Sequence, residues 1–587
     1  MLPKPVKDEY RRSTSVSSQT NVEMPMRDGV ILRADVYRPA GAGRHPVLLQ
    51  RIPYGKHTPR YRSLYLDPMR ALDRGYAVVI QEVRGRHVSD GDWYPYVHEA
   101  EDGYDTIDWV ASQPWSDGNV GTFGISYHGA TQWLAATEAH PALKAIIPGV
   151  TSDSYYDSWT YLGGVFQLFW TGGWAAAFAL DDLGGRAARD SDAMALLREW
   201  RRDSHSMANH LPLDDMPGLR QVADYYYDWL AHPTYDDYWK AIAPREKFDK
   251  ITVPALNQGG WFDGFIRGTL RCYQGMRERG ATELSRTQQH LVVGPWLHQP
   301  LPDPFAGQGY FGGAASGAAI DWHGMQIAWF DRWLRDEDNG VDTDPNTYIF
   351  IMGANEWRAE ESWPPPDAEP MTLFLRSGGR ANTLNGDGAL SLDAPSESES
   401  PDRFTYDPSN PVPTHGGAHL GGIVSVFEVG VQDQRAIEAR EDVLVYTSEP
   451  LERDTEVTGH VELELWAVTS VTDTDWTAKL VDVHPDGQAR NVCDGILRAS
   501  FRDSLESPSP IQSGEAYNYN VDVGPTAMLF RKDHRIRLEV SSSNFPAYAR
   551  NTGSPHHQSS DLTPATQTVL HDANHPSRLT LPVVRRN

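Results

Sequence analysis

An α/β domain built on a mainly parallel sheet, with an inserted helical cap and followed by a C-terminal β-sandwich, is the architecture this 587-residue sequence predicts. Three observations point to it. Short apolar runs alternate with helical stretches over residues 1–150 and again over 246–355, an aromatic-rich helical texture separates them at 151–245, and alternating strand segments without helices fill 356–587. A chain this long exceeds what one core organises, so two or three domains are expected, divided at those positions.

Each element has a local reason. After a lead up to about Gln19, expected to be disordered, strand patterns begin near Val22, with Val30-Ile31-Leu32-Arg33-Ala34-Asp35-Val36-Tyr37 the first clear run. Val47-Leu48-Leu49 and Ala77-Val78-Val79-Ile80-Gln81 are short apolar runs bounded by Gly and Pro, as strands buried on both faces require. Helical stretches are expected at Arg60 to Arg74 and Asp102 to Ser112. Such alternation indicates a mainly parallel sheet covered by helices. Asn119 to Phe123 reads as a strand running into a tight turn, followed by a helix from Tyr127 to Glu138 and a strand at Leu143-Lys144-Ala145-Ile146-Ile147. The sheet resumes at Ile251 to Asn257 and Gln289 to Gly294.

Between them, Ala- and Leu-rich patterns with many large aromatics read as the cap. Most of those rings are expected to form its core, and a minority to line a binding pocket. Trp159, Phe166 and Trp170 from the cap, with Phe262 and Trp296 from the sheet's strand ends, are the candidates for contacting substrate. Beyond Trp363-Pro364-Pro365-Pro366, segments such as Met371 to Leu375, Asp442 to Tyr446, His460 to Trp466 and Arg535 to Val540 alternate strictly, which argues a β-sandwich.

Composition removes other classes. With 53 basic and 79 acidic residues the net charge is −26, which disfavours binding to a phosphate backbone, so nucleic acid is not an expected partner. No run approaches the ~18 apolar residues of a membrane span. The isolated Cys272 and Cys493 form neither a disulfide framework nor a metal cluster and suit a reducing, cytoplasmic setting. The acid-rich Asp336-Glu337-Asp338 and Asp342 to Asp344 lack calcium-loop spacing, and no phosphate-binding glycine loop is visible, so neither metal nor cofactor is expected. Homo-oligomerisation is compatible with the sequence.

The chemistry concentrates at Gly124-Ile125-Ser126-Tyr127-His128-Gly129. Gly-x-Ser-x-Gly describes a strained turn that lifts a serine oxygen above a sheet, although here the second glycine falls one place late. Its position between a strand and a helix is what the turn requires. A serine hydroxyl needs a histidine base oriented by a carboxylate, in the chain order serine, acid, histidine. Asp263 in Gly259-Gly260-Trp261-Phe262-Asp263-Gly264 and His298 in Gly294-Pro295-Trp296-Leu297-His298 follow the two later strands in that order. His128 is too close to Ser126 to swing back as base, His323 lies in a helical stretch, and Ser89 precedes the nucleophile position. An oxyanion needs two donors. The backbone N–H of Tyr127 is one, and the loop Arg51-Ile52-Pro53-Tyr54-Gly55-Lys56 offers the phenol of Tyr54 as the other.

At these points, and at Gln81 to Arg86, His232 to Trp239, Tyr406-Asp407-Pro408 and Pro411 to Gly417, the sequence resembles the cocaine esterase and X-prolyl dipeptidyl-peptidase family of α/β-hydrolases. The resemblance runs from about Glu23 over almost the whole chain. It implies a jelly-roll as the C-terminal sandwich, a triad of Ser126, Asp263 and His298, and Tyr54 as an oxyanion donor, and the displaced glycine is that family's own pattern. Peptide-acting relatives must hold a free ammonium group with carboxylates. The elbow offers His128 instead, and Asp153, Asp157, Asp181 and Asp182 in the cap are the acids left for that role. The expectation is therefore a serine hydrolase cleaving a small, partly aromatic ester or amide through an acyl-enzyme. An X-prolyl dipeptidyl peptidase or α-amino ester hydrolase is the alternative, and a catalytically silent carbohydrate- or partner-binding protein the reading from another class.

Overall fold

The computed structural model describes residues 15–58, 65–181, 191–220, 222–299, 301–420, 427–554 and 560–585. Ten strands form the first sheet: β1 (Val16–Pro25), β2 (Ile31–Pro39), β3 (His45–Ile52), β4 (Ala77–Glu82), β5 (Ser116–Ile125), β6 (Leu143–Gly149), β7 (Ala255–Phe262), β8 (Gln289–Leu297), β9 (Thr347–Ile351) and β10 (Glu356–Glu360). Their spatial order is β1-β2-β4-β3-β5-β6-β7-β8-β9-β10. The stretch from β4 to β9 is parallel, and β1, β2 and β10 add antiparallel edges.

Alternation along the central strands explains this sheet. Leu48, Val78 and Ile80 point to one core with Phe123, Ile125 and Phe330, whereas Val47, Leu49, Ala77 and Val79 point to the other with Trp133 and Ile146. Both faces are therefore apolar, and helices cover both. Helices α1 (Pro68–Asp73), α2 (Glu99–Ala111) and α3 (Tyr127–Ala136) precede the cap, and α7 (Ile266–Arg279) and α8 (Trp322–Arg335) follow it.

Several boundaries differ from expectation. β1 begins at Val16, inside the segment expected to be disordered, because its residues pair antiparallel with β2 from Val16↔Pro39 onward. The helix expected over Arg60 to Arg74 is α1 alone within the described residues; Asp67 caps it by accepting the Met69 N–H at 2.9 Å, and Pro68 starts it. β7 starts at Ala255 rather than Ile251, directly after Pro254, which has no N–H for a ladder, and it extends to Phe262.

Between β6 and β7 lie a two-residue hairpin (Tyr161–Leu162 with Val165–Phe166) and helices including α4 (Leu168–Asp181), α5 (Ser191–Arg202) and α6 (Asp224–Ala231). Their rings share one core with Tyr96 and Tyr127 of the sheet domain. Arg86 joins the parts: its guanidinium lies over Trp93 at 4.9 Å and Phe178 at 5.0 Å and donates to the Phe178 carbonyl.

Among the described residues, eleven further strands, from Ala368–Arg376 to Arg578–Val584, make the β-sandwich around a separate core that includes Leu375, Leu463, Trp476 and Leu538. A short α-helix, Arg435–Glu438, and a 3-10 turn, Ala499–Phe501, interrupt these strands among the described residues. The sandwich is sewn to the hydrolase sheet by backbone bonds from Met352 N–H to Ala527 and from Leu529 N–H to Met352. Side chains add to this seam: the buried Arg267 of α7 donates to the Asp522 carboxylate at 2.9 Å and to the Asp494 and Asp522 carbonyls. No helix among the described residues is long and apolar enough to cross a membrane.

Candidate active site

β5 ends on Ile125 and α3 begins on Tyr127, so Ser126 alone makes the turn, with φ 60° and ψ −125°. Holding a non-glycine residue there costs about 1–3 kcal/mol. The Ser126 N–H donates to the Gly149 carbonyl at 2.9 Å, and the Ser126 carbonyl accepts from Gly129 and Ala130. Both glycines are spatial necessities. A Cβ on Gly124 would come within 2.6 Å of the His128 Cβ, and one on Gly129 within 2.9 Å of the Gly149 oxygen. The second glycine sits one place late because the first turn of α3 crosses the end of β6 at that residue.

Asp263 and His298 reach Ser126 from the ends of β7 and β8, which lie beyond β6 in the sheet. β7 and β8 pair in register up to Gly260↔Gly294, then slip to Phe262↔Leu297, a bulge in β8. That extra length brings His298 beside Asp263. The His298 Nδ1 lies 2.8 Å from Asp263 Oδ1, and its Nε2 lies 3.0 Å from Ser126 Oγ. All three side chains are buried. A hydroxyl, an imidazole and a carboxylate in this relay can move a proton off the serine oxygen and stabilise the imidazolium that results.

The surroundings hold possible anion donors in place. The first N–H of α3, that of Tyr127, has no acceptor within its helix. The Tyr127 phenol points the other way, donating to Glu99 at 2.8 Å and accepting from the Tyr96 N–H. Glu99 in turn meets Arg51 at 3.0 Å. Burial pushes the Tyr127 phenol well above its ordinary pKa and holds the Glu99 carboxyl above its own, so this network braces the elbow from below. Tyr54, in the loop after β3, is half-buried, with its ring edge-on to His128 at 5.3 Å and to Phe178 at 4.8 Å. Arg86 Nε donates to the neighbouring Pro53 carbonyl at 2.8 Å and steadies that loop.

The aromatic candidates separate into two groups. Trp170, half-buried, lies 6.5 Å from the His298 ring, and Trp159 stands one layer back, stacked at 3.9 Å on Phe265, whose ring meets His298 perpendicularly at 5.3 Å. Phe265 was not anticipated, although its place two residues after Asp263 was a usable signal. The other three are not brought to the serine. Phe166 packs within the cap against Tyr161 and Tyr226. Phe262 alternates away from Asp263 into the core under Phe311. Trp296, thrown outward by the bulge, donates its indole N–H to Ala315 and packs on Trp322. Strand alternation and the bulge thus defeat a reading based on nearness in sequence.

Comparison with known proteins places this geometry. Residues 28–300 match the X-Pro dipeptidyl-peptidase (S15 family) model, and 339–580 match the X-Pro dipeptidyl-peptidase C-terminal non-catalytic domain. Cocaine esterase of Rhodococcus sp. is 39% identical over 97% of this chain and 99% of its own. The chain is a serine hydrolase of the S15 family. Among solved structures of similar fold, an α-amino acid ester hydrolase is 27% identical with a TM-score of 0.79, and an aminopeptidase from a marine sediment archaeon, Thaumarchaeota archaeon, is 25% identical with a TM-score of 0.78. Each similarity covers 99% of this chain and 98% of the other.

Asp153 is buried and bonded to Arg271 at 3.1 Å, and Asp157 also meets Arg271 at 3.1 Å. These two acids serve the junction of cap and α7, which leaves them compensated rather than presented to a ligand ammonium. The Asp181 side chain and Asp182 lie outside the described residues. His128, buried between Tyr54 and Tyr65, is pushed down by burial to about 3, so it stays a neutral ring beside Ser126.

Proposed function

We propose that the protein hydrolyses carboxylic esters of small, apolar or aromatic substrates through an acyl-enzyme on Ser126. The hydrogen-bonded chain Asp263–His298–Ser126, with its 2.8 and 3.0 Å contacts, carries this reading. Ser126 Oγ attacks the ester carbonyl carbon while its proton passes to His298 Nε2, and Asp263 holds the imidazole by its Nδ1–H. The Tyr127 N–H and the Tyr54 hydroxyl receive the negative oxygen. Collapse breaks the bond to the leaving alkoxide, which takes the proton from His298. Water then attacks the acyl carbon, giving its proton to His298, and Ser126 departs with that proton restored.

Trp170 and Phe265 form an apolar wall beside His298, which favours an acyl or alcohol group with a ring. The relatives' names span cocaine esterase, α-amino acid ester hydrolase and X-Pro dipeptidyl-peptidase. The arginine-bound Asp153 and Asp157 weigh toward the ester reading. We assign the hydrolase to 1–150 and 246–355, the cap to 151–245 and the sandwich to 356–587. The free, buried Cys272 and Cys493 suit a cytoplasmic setting.

Ser126→Ala is expected to abolish turnover of p-nitrophenyl esters and labelling by a fluorophosphonate; labelling that persists in the variant would falsify the nucleophile. Preferential turnover of Gly-Pro-p-nitroanilide over short-chain esters would move the protein to the peptidase reading. No turnover of either, with no labelling of the parent protein, would leave the binding-protein reading.

A further inference from the structure

The β-sandwich, at the end that meets the hydrolase sheet, carries a second group of reactive side chains, separate from Ser126. The strand Asp475–Val483 pairs antiparallel with Arg535–Ser541, in the register Asp482↔Ile536 and Val483↔Arg535. One step further along that register, His484 stands across from His534, and their rings lie 4.4 Å apart. Asp482, two residues before His484 and thus on the same side of the ribbon, is buried between them. Its Oδ1 is 2.8 Å from His534 Nδ1 and its Oδ2 is 3.3 Å from His484 Nε2. One ligand atom from each of the three residues fits within a 4.8 Å span. A cavity of about 220 Å³ adjoins them, reaching from the two imidazoles to Met352 and Met528 at the seam with the hydrolase sheet.

We propose that Asp482, His484 and His534 bind one divalent transition-metal ion of the zinc class. Two ligand atoms each ~2.1 Å from a metal, at the angles of tetrahedral or octahedral coordination, stand about 3.0–3.4 Å apart. Of the two carboxylate–imidazole spacings, 3.3 Å falls within that range and 2.8 Å just below it. Two imidazole nitrogens with one carboxylate oxygen suit zinc, cobalt or nickel rather than calcium or magnesium, which take mainly oxygen. The cavity leaves room for water to complete the shell. Two cations line it: Arg531 turns to the Asp454 carboxylate at 3.0 Å and to the Gly353 carbonyl, and Arg490, across the ladder from Asp482, donates to the Gln488 side-chain oxygen at 3.0 Å. An ion here joins the hairpin after Val483 to the turn before Arg535, so it acts as a clamp on the sandwich end that meets the hydrolase sheet. The ligands escape local motif reading because about 50 residues separate His484 from His534 in the chain.

The test uses tag-free, full-length protein equilibrated with Zn2+ and then passed into metal-free buffer, with bound metal measured by mass spectrometry. About one zinc per chain is expected, falling at least tenfold in Asp482→Asn and in the double variant His484→Ala/His534→Ala. Hydrolysis of a p-nitrophenyl ester by those variants shows that they are folded. Zinc-free parent protein, or equal zinc in parent and variants, overturns the proposal. If the variants do not fold, Co2+ titration of the parent decides: a visible absorption band saturating at one equivalent supports the site, and the absence of a saturable band overturns it.

Discussion

The indole of Trp159 lies flat on the ring of Phe265, centroids 3.9 Å apart and planes 2° apart, and Phe265 meets the His298 imidazole perpendicularly. A cap residue thereby steadies the ring that flanks His298. Phe265→Ala is expected to cost about 3–5 kcal/mol of stability through the cavity it opens. Because His298 loses a wall, turnover of an aromatic ester should fall more than that of an acetyl ester; equal losses on both would remove Phe265 from substrate recognition.

Tyr54→Phe keeps the ring against His128 and Phe178 and deletes only the hydroxyl. Loss of one oxyanion donor is worth about 3 kcal/mol, so kcat should drop of order a hundredfold with KM little changed. Steady-state kinetics of the variant decide it, and an unchanged kcat excludes Tyr54 from the oxyanion site.

Tyr127 supplies the opposite control. Its proposed donor is the backbone N–H, which Tyr127→Phe retains, while the lost phenol leaves Glu99 short of a hydrogen bond. Stability is expected to fall by about 1–3 kcal/mol in urea titrations with kcat nearly preserved. A collapse of kcat at intact fold would show that the Glu99 network does more than brace the turn.

In the sandwich, His571 contacts Asp402 at 3.0 Å and Glu399 at 3.1 Å, with Ser377 and Tyr446 completing the cluster. Burial alone would lower the His571 pKa, but the two carboxylates outweigh it and hold the group above 6.5. A raised folded value means that its stabilisation is complete below about pH 6.5 and is lost as pH rises through the folded pKa. Asp402 is held below 3.8, against the pull of burial, by His571, the Ala381 N–H and Tyr446; its share is lost as pH falls through that lowered value. Urea midpoints from pH 6 to pH 9 should decline in the parent and flatten in His571→Gln, and identical slopes would count against the assignment.

Much of the candidate site could be read from residue order. Ser126, Asp263 and His298 follow one another at strand ends, and that order needs no distances. Tyr54 could be named as a candidate donor because its loop follows a recognisable strand. What escaped depends on direction rather than sequence nearness. Phe262 and Trp296 flank Asp263 and His298 in the chain, yet alternation and the β8 bulge turn both away. Phe265 escaped although it stands two residues after Asp263; its stacking partner Trp159, distant in sequence, meets it only through the cap. Asp482, His484 and His534 converge through the register of two strands that no local pattern relates.

Arg267 stands four residues after Asp263, and its guanidinium is buried in the sandwich seam. The turn that presents the acid is therefore anchored from outside the hydrolase sheet. In engineering terms, the C-terminal half is not a detachable accessory. Cutting the gene before the sandwich would strand a buried cation on α7 and loosen the stretch from Asp263 to Arg267. A trimmed esterase built on this scaffold needs that anchor replaced before its active site can be redesigned.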